Sequence, residues 1–525
     1  MMKTSRLLTF GFAVATLAAC GDPLDVTNAN NPETDRVLAT PADVEALIRN
    51  SYGQAMGPIL GSDGINMQMG TMAFENSAMA ANFGMVERSA FPRSQILNTV
   101  SDQFSADYYE VWSESYTAIR AASDGLERIA RPGFSLGSPA NTARAEAFAR
   151  FVLGFAHANL AVTYDQASVY DETIPADSVV PLAPYGDVMD AALGYMDQAI
   201  QIAQANPSIS FPSDWMGVEV NGAQFVRIVN SYKARYRTQV ARSAAERQAI
   251  DWNAAIAEVD AGITSDYAVT DNDDVWDFWM QDYMSFKGAW HQAANFIHGM
   301  ADTSGAYQTW MSTPIGSREA IVIQTPDKRF PQGNTLAAQL ANQGTYINAK
   351  AAGGAGGWVR AERGTWRWSN YVDDRYAEYY ANGVTGAAVP LISKTEMDLI
   401  KAEGLIRTNR AADALPLINA TRVGNGGLPA ATLAGAPGGN ACVPKLPTGA
   451  CGDLIETLKW EKRMEQFMTV YGGWFLDSRG WGDLAEGTPL HWPVPARELE
   501  VRQLPLYTFG GAGQEGSAPI GNYGY

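Results

Sequence analysis

Thr142-Ala-Arg-Ala-Glu-Ala-Phe-Ala-Arg-Phe-Val-Leu-Gly-Phe-Ala-His-Ala-Asn-Leu-Ala-Val-Thr-Tyr164 is the stretch on which the fold turns. Ala147, Phe148, Phe151, Val152, Phe155, Ala156, Asn159 and Leu160 recur at intervals of three and four, which puts them on one face of an α-helix. The same period extends outward in both directions. Upstream it covers 106–129, and downstream 188–205, 223–244 and 253–263. A first helix is signalled near Thr40-Pro41, where a capping side chain precedes proline at the first helical position.

Successive helices of this length, joined by short connections, are expected to form antiparallel pairs. Ala, Gly and Ser on their faces allow close crossings, as in tetratricopeptide packing, so the expected fold is mainly α with a TPR-like helical-pair scaffold. Regularity fails from 276 to 386, where Trp, Gly, Asn and Asp mix without a sustained period. Such a long loop-rich segment commonly carries binding function. Helix signals return at Ser393-Lys394-Thr395-Glu396, a capping box opening a helix to about 407. A second helix follows from Ala411, with Pro416 expected to kink it or mark its start. A Gly/Pro-rich loop at 424–452 precedes helical pattern over 454–471, and 510–525 reads as extended. The expected organisation is a single domain over 41–525: a scaffold at 41–270 and 390–525 with an irregular insertion at 271–389.

The amino-terminal region reads as a lipoprotein signal peptide over 1–19. Lys3 and Arg6 precede an apolar run from Leu7 to Leu17, and Leu17-Ala18-Ala19-Cys20 completes an acceptor pattern for lipid on the Cys20 sulfur. The run is too short to span a bilayer, so the membrane is expected to be met only through a lipid (palmitate) anchor on a tether over 20–40. Removing Lys3 and Arg6 takes the formal charge from -18 to -20. That surplus repels phosphate backbones and excludes nucleic acid as a partner. With Cys20 lipidated, Cys442 and Cys451 remain, and export to an oxidising compartment favours a disulfide between them. The alternatives are two free thiols or half of a metal site, but zinc would need further ligands and the next histidine along, His491, is distant in sequence.

Trp276, Trp279, Trp290 and Trp310 crowd into 35 residues, although 14 tryptophans spread evenly over 525 positions would place about one there. Indole faces stack on sugar rings, and Asp274, Asp277, Gln281 and Asn295 stand ready to bond hydroxyls. The same tryptophans also suit packing on the scaffold as a helix stripe, and both readings stand. A second cluster joins Trp358, Trp366 and Trp368 to Arg360 and Tyr371, whereas Trp460, Trp474, Trp481 and Trp492 read as core. Gly133-Phe134-Ser135-Leu136-Gly137 matches the nucleophile elbow of hydrolases but lacks a leading strand, so a loop between helices explains it. Of the histidines, His157 falls on an apolar helix face and reads as a satisfied core residue. His157, His291, His298 and His491 show no metal-binding spacing, and Asp271-Asn272-Asp273-Asp274 lacks the glycine and terminal glutamate of an EF-hand. No metal or cofactor is expected.

Several blocks in order resemble the SusD/RagB family of outer-membrane nutrient-uptake lipoproteins. They are Leu24-Asp25-Val26; Ala42 to Leu47 leading to Tyr52; Trp112, Tyr116, Ile119 and Leu126; and Arg144 to Tyr164 followed by Val180-Pro181-Leu182. The ending is the most specific: Glu461-Lys462-Arg463 with Glu465, Trp474-Phe475-Leu476-Asp477, Trp481-Gly482, and Trp492-Pro493-Val494-Pro495-Ala496-Arg497-Glu498. Ser123-Asp124 replaces a usual Asn, and Val470-Tyr471-Gly472-Gly473 replaces a Glu-Gly and Arg. The resemblance implies a helical scaffold with an irregular ligand-binding lobe. Such a protein is a cell-surface, outer-membrane carrier without enzymatic activity, which captures oligosaccharides or oligopeptides for a SusC-like TonB-dependent transporter. A lipid-anchored hydrolase, using Ser135 or a pair of carboxylates, is the alternative of a different class.

Overall fold

In the computed structural model of the protein, the 142–164 pattern is a helix spanning Pro139–Thr163. Ser138 opens it by accepting a hydrogen bond from Asn141 N (3.1 Å), and Pro139 occupies the first position. The structure describes residues 38, 40–60, 65–79, 81, 83–175, 178–272, 274–278, 291–351, 364–375, 388–469 and 472–511. From Phe151 to Thr163 every residue of this helix is buried, so it is a central helix covered on all sides rather than one with a single apolar face.

The principal helices are α1 (Pro41–Leu60), α2 (Ser105–Ala130), α3 (Pro139–Thr163), α4 (Tyr185–Ala205), α5 (Gly222–Gln239), α6 (Trp252–Asp260), α7 (Lys394–Arg407), α8 (Ala411–Gly424), α9 (Leu454–Gln466) and α10 (Gly473–Trp481). Neighbours in sequence pack as pairs, α1 on α2, α2 on α3, α3 on α4 and α4 on α5, and the series continues through α6, α7 and α8. The α3–α4 crossing needs a glycine: a Cβ on Gly154 of α3 would lie 2.6 Å from Met196 Cγ and 2.7 Å from Ala192 O of α4. Among the described residues, no helix is long and apolar enough to cross a membrane.

Several boundaries differ from the sequence expectation, each for a local reason. Helix α5 ends at Gln239 instead of 244, because Ser243 caps a separate turn, Ala244–Ala249. Arg242 folds back there onto the carbonyls of Ala161 (2.6 Å), Val162 (3.1 Å) and Tyr164 (3.1 Å). Arg479 donates to Val162 O (2.9 Å) and Gln239 O (2.7 Å), so two guanidinium groups satisfy the carbonyl ends of α3 and α5. Helix α9 stops at Gln466, short of 471, where Met468 takes a positive φ of 55°. The capping box at 393–396 is half formed: Ser393 caps Glu396 N (3.0 Å), but the Glu396 carboxylate turns to Arg235 (2.7 and 2.6 Å). Helix α8 starts at Ala411 and runs through Pro416.

Short strands organise the segment expected to be irregular: β1 (Asn76–Ala78), β2 (Tyr267–Thr270), β3 (His291–Ala293), β4 (Ile347–Ala349), β5 (Tyr371–Asp373) and β6 (Ala388–Ile392). All pair antiparallel, β1 with β3, β4 with β5, and β2 with β6. In the last pair Thr270 faces Ala388, so the chain leaves the scaffold and returns to it through one ladder. Cys442 and Cys451 are bonded across the Gly/Pro-rich loop, with Cα atoms 5.1 Å apart.

The carboxy-terminal motifs assemble a buried charge network. Arg247 binds Glu403 in bidentate fashion (2.7 and 2.6 Å) and reaches Asp477 (2.9 Å), whose other oxygen lies 2.8 Å from Lys462 Nζ. Trp481 Nε1 and Arg407 Nε also donate to Glu403 (3.0 and 2.9 Å). Burial pushes the Glu403 carboxyl up, but the charges of Arg247, Lys462 and Arg407 outweigh burial and hold it well below the usual carboxylate range. A second node on α9 joins Arg329 to Asp327 (2.8 Å), Glu461 (2.8 Å) and Glu465 (3.2 Å). Because the native state depresses the Glu403 value, its contribution is present above the unfolded carboxylate value of about 4.3 and fades as pH falls below it. Glu403→Gln is therefore expected to cost about 3–5 kcal/mol at pH 7, by leaving Arg247 short of its counter-ion, with the deficit shrinking toward pH 2. Urea melts of both proteins across that range check it, and a deficit independent of pH would contradict the assignment.

Candidate functional site

Helix α2 carries two aromatic rows. Tyr108, Val111, Trp112, Ala118, Ile119 and Ala122 are buried, while Tyr109, Ser113, Tyr116, Arg120 and Asp124 border a cleft of about 680 Å³. The far wall is built by Tyr170 and Asp171, in the loop after α3, and by Glu498 and Arg502, on and just after the helix Ala496–Val501.

Two of the wall tyrosines, Tyr116 and Tyr170, are fixed at their polar ends. The Tyr116 hydroxyl donates to Ser168 O (3.0 Å) and accepts from Ser168 N (2.7 Å). The Tyr170 hydroxyl donates to Ser178 O (3.1 Å) and accepts from Val180 N (3.2 Å). Beneath Tyr170, the buried His157 ring bonds Leu153 O through Nδ1 (2.7 Å) and accepts from Tyr170 N at Nε2 (3.1 Å), which defines one neutral tautomer. Burial lowers the His157 value to about 4, so the ring stays neutral at physiological pH. The rings of Tyr116 and Tyr170 meet edge-on with centroids 6.0 Å apart, and Trp112 lies 5.0 Å from Tyr116.

Charged groups punctuate the wall as neutralised pairs. Arg120 contacts Asp124 (2.5 Å), and burial raises the Asp124 value despite that partner. Arg502 ties the wall together by reaching Glu498 (2.5 Å), Val180 O (2.7 Å) and Ser168 Oγ (3.1 Å). Two further clefts, of about 530 and 510 Å³, continue along α2. The middle one shares Tyr109 and Ser113 with the first and Glu110 with the last, so the three clefts adjoin one another around the same helix. Half-buried rings interleaved with hydrogen-bonding groups suit a polyhydroxylated ligand whose ring faces are apolar.

The tryptophans singled out in the sequence are distributed differently. Trp276 is 6% exposed and packs on Tyr52 with centroids 5.6 Å apart, so only its edge reaches the end of the groove. Trp310 is 4% exposed, donates Nε1–H to Glu319 O (2.7 Å) and lies between Phe296 and Arg318. Both rings are buried against these neighbours, Trp276 at the margin of the last cleft. Asp274 is exposed in the last cleft and Asp277 is half-buried. Trp279, Trp290, Gln281, Trp358 and Arg360 lie outside the described residues. Asn295 is buried and donates to Trp368 O (3.0 Å), and Tyr371 is tied to Ile323 N and Gln339, so these serve the interior. Trp460, Trp474, Trp481 and Trp492 are buried, in agreement with the sequence.

Ser135 sits in the α2–α3 loop, where its Oγ accepts from Gly137 N (3.2 Å). Gly133 and Gly137 both take positive φ (82° and 86°), which makes them turn glycines, and no strand leads into the serine. Asp271 and Asn272 accept from backbone N–H groups of Phe278 and Trp276, forming a self-satisfied turn. Among the described residues no group of His, Cys, Asp and Glu is arranged to hold a metal ion. Tyr109, Tyr116 and Tyr170, which line the first cleft, are not singled out as candidate contacts by the sequence. The available signal was the breadth of the aromatic spacing on α2, Tyr108, Tyr109, Trp112 and Tyr116, which exceeds one buried stripe.

No family sequence model matches the chain, and no curated protein matches it in sequence. Solved structures do resemble it. A SusD/RagB family protein from Bacteroides thetaiotaomicron superposes with a TM-score of 0.51 at 15% identity, covering 85% of this chain and 90% of that one. A SusD-like protein from Bacteroides fragilis gives 0.52 at 14% identity, with 86% and 89% covered. A SusD-like carbohydrate-binding protein from Bacteroides vulgatus gives 0.50 at 13% identity, with 85% and 84% covered. These likenesses establish a SusD-like fold, the helical scaffold with TPR-like pairs expected from the sequence.

The burial pattern separates core rings from groove rings. Trp310→Ala is expected to lower stability by about 3–5 kcal/mol, whereas Tyr109→Ala, at a half-buried groove position, is expected to cost about 1 kcal/mol or less. Denaturant melts of the two variants decide it, and equal losses would contradict the assignment.

Proposed function

We propose that this chain, which has the SusD-like fold, is a surface lipoprotein that holds an oligosaccharide in the α2 groove and passes it to a SusC-like TonB-dependent transporter. The observation that carries the reading is the groove itself: Tyr109, Tyr116 and Tyr170 presented on a rigid helical wall, with arginine–carboxylate pairs between them. The likeness in fold to a SusD-like carbohydrate-binding protein supports the choice of a sugar over a peptide. The Leu17-Ala18-Ala19-Cys20 box supports attachment to the outer membrane through lipid on Cys20, facing the exterior. Trp279, Trp290 and Asp274 remain proposed ligand contacts, Asp274 from the lining of the last cleft.

Binding without turnover fits this geometry better than hydrolysis. Ser135 lies in an exposed turn, and two of the carboxylates lining the groove, Asp124 and Glu498, are each engaged by an arginine. Backbone hydrogen bonds already hold Tyr116 and Tyr170 in place, so little ordering of these rings opposes binding.

The test is titration of the purified mature protein with an oligosaccharide identified on a glycan array. Tyr109→Ala is expected to lose about 2 kcal/mol of binding, roughly thirtyfold in Kd, while remaining folded. Unchanged affinity in the folded variant, or sugar release by the purified protein, would overturn the proposal.

A further inference from the structure

Of the contacts that fasten the far wall of the first cleft, one ends on a buried histidine. Tyr170 and Asp171 line that cleft from the segment after α3, whose base is closed by antiparallel pairing of Gln166 with Pro184 and of Ala167 with Ala183. Beyond that base, Ser168 is bonded to the Tyr116 hydroxyl (3.0 and 2.7 Å), and Glu172 takes a two-pronged contact from Arg150 of α3. Between them, Tyr170 N donates to His157 Nε2 (3.1 Å).

His157 is fully buried in α3 and has both ring nitrogens occupied, since Nδ1–H donates to Leu153 O (2.7 Å) while Nε2 accepts from Tyr170. The neutral ring can do this; the imidazolium cannot, because it has two donors and no acceptor. A proton on Nε2 would meet the Tyr170 N–H donor against donor. Tyr195 of α4 packs on the ring with centroids 5.6 Å apart and donates its hydroxyl to Asp171 (3.0 Å), which also accepts from Thr173 N (2.9 Å) and Oγ1 (2.6 Å). Burial pushes the Asp171 carboxyl up, but these bonds and the charge of Arg150 prevail and hold it below its ordinary value.

Among the described residues, the charged groups around the ring are thus Asp171, Arg150 and Glu172. Burial lowers the His157 value to about 4, against help for the charged form from Leu153 O and Asp171. With the segment lifted off and the ring in water, the value returns toward about 6.5. The docked segment therefore takes up the proton less readily than the lifted one. Docking is undiminished above about 6.5 and weakens as pH falls from there to about 4.

We propose that His157 is a positioning residue of the groove: neutral, it holds Tyr170 and Asp171 in the far wall, and protonated, it releases them, so that ligand is gripped at neutral pH and let go in acid. This role rests on the saccharide reading of the same groove and adds its regulation. His157 does not line the cleft and acts only through Tyr170 and its neighbour.

The experiment follows amide hydrogen exchange of the mature protein at Tyr170 and across α4 from pH 7 to pH 4, beside titrations with the oligosaccharide identified on the array. Protection of the Tyr170 amide, corrected for intrinsic exchange, is expected to fall about thirtyfold or more over that range while α4 keeps its protection. His157→Gln retains an acceptor that does not titrate, so it is expected to bind normally at pH 7 and to lose the fall at Tyr170. Saccharide affinity of the unaltered protein is expected to drop about threefold or more beyond any drop in that variant. If the variant does not fold, the comparison of Tyr170 with α4 in the unaltered protein decides alone. Protection at Tyr170 unmoved by pH, an equal fall across α4, or the same fall in folded His157→Gln would overturn the proposal. A fall at Tyr170 with no change in affinity would also overturn it and leave the saccharide reading standing. Exchange as expected with no glycan bound at any pH would support the positioning role and overturn the saccharide reading instead.

Discussion

The buried contact of Arg247 with Glu403 and Asp477 is the joint on which the rest of the structure depends. It draws together the turn after α5, helix α7 beyond the insertion and helix α10 near the carboxy terminus, with Lys462 of α9 closing the circuit. Such charges are costly to desolvate and repay that cost only when every partner is in place. The network therefore acts less as a source of net stability than as a register: α7, α9 and α10 are seated correctly only in one arrangement. The β2–β6 ladder complements it by bringing the chain back from the insertion beside the point at which it left.

The groove inherits its rigidity from this joint by a short path. Arg479 of α10 satisfies carbonyls at the ends of both α3 and α5, and Trp492 N donates to Thr163 O (2.9 Å). The following segment then delivers Glu498 and Arg502 to the groove wall, where Arg502 binds Val180 O and Ser168. On the opposite side, His157 reaches through the core helix to hold Tyr170. Groove residues in the loop after α3 and beside the last helix are thus positioned by backbone contacts.

The scaffold was legible because its helices repeat the 3.6-residue period over long stretches, as in 142–164 and 106–129. The buried charges were not, since Glu403 or Asp477 looks in sequence like any solvated acid. Only the order of the late motifs marks the region. The tryptophans misled for a related reason. Indole density in a polar context suggests exposure, yet Trp276 packs on Tyr52, far away in sequence, and Trp310 packs between Phe296 and Arg318. Conversely, Tyr109 and Tyr116 flank a buried stripe on the same helix, and a periodicity argument assigns every aromatic there to the core.

The central claim is that the ligand lies along α2. A crystal structure of the mature protein with a bound oligosaccharide tests it most directly. The account expects sugar rings against Tyr109, Tyr116 and Tyr170, within hydrogen-bonding reach of Arg120 and Arg502. A sugar seated against Trp279 and Trp290, with the α2 groove empty, would contradict it.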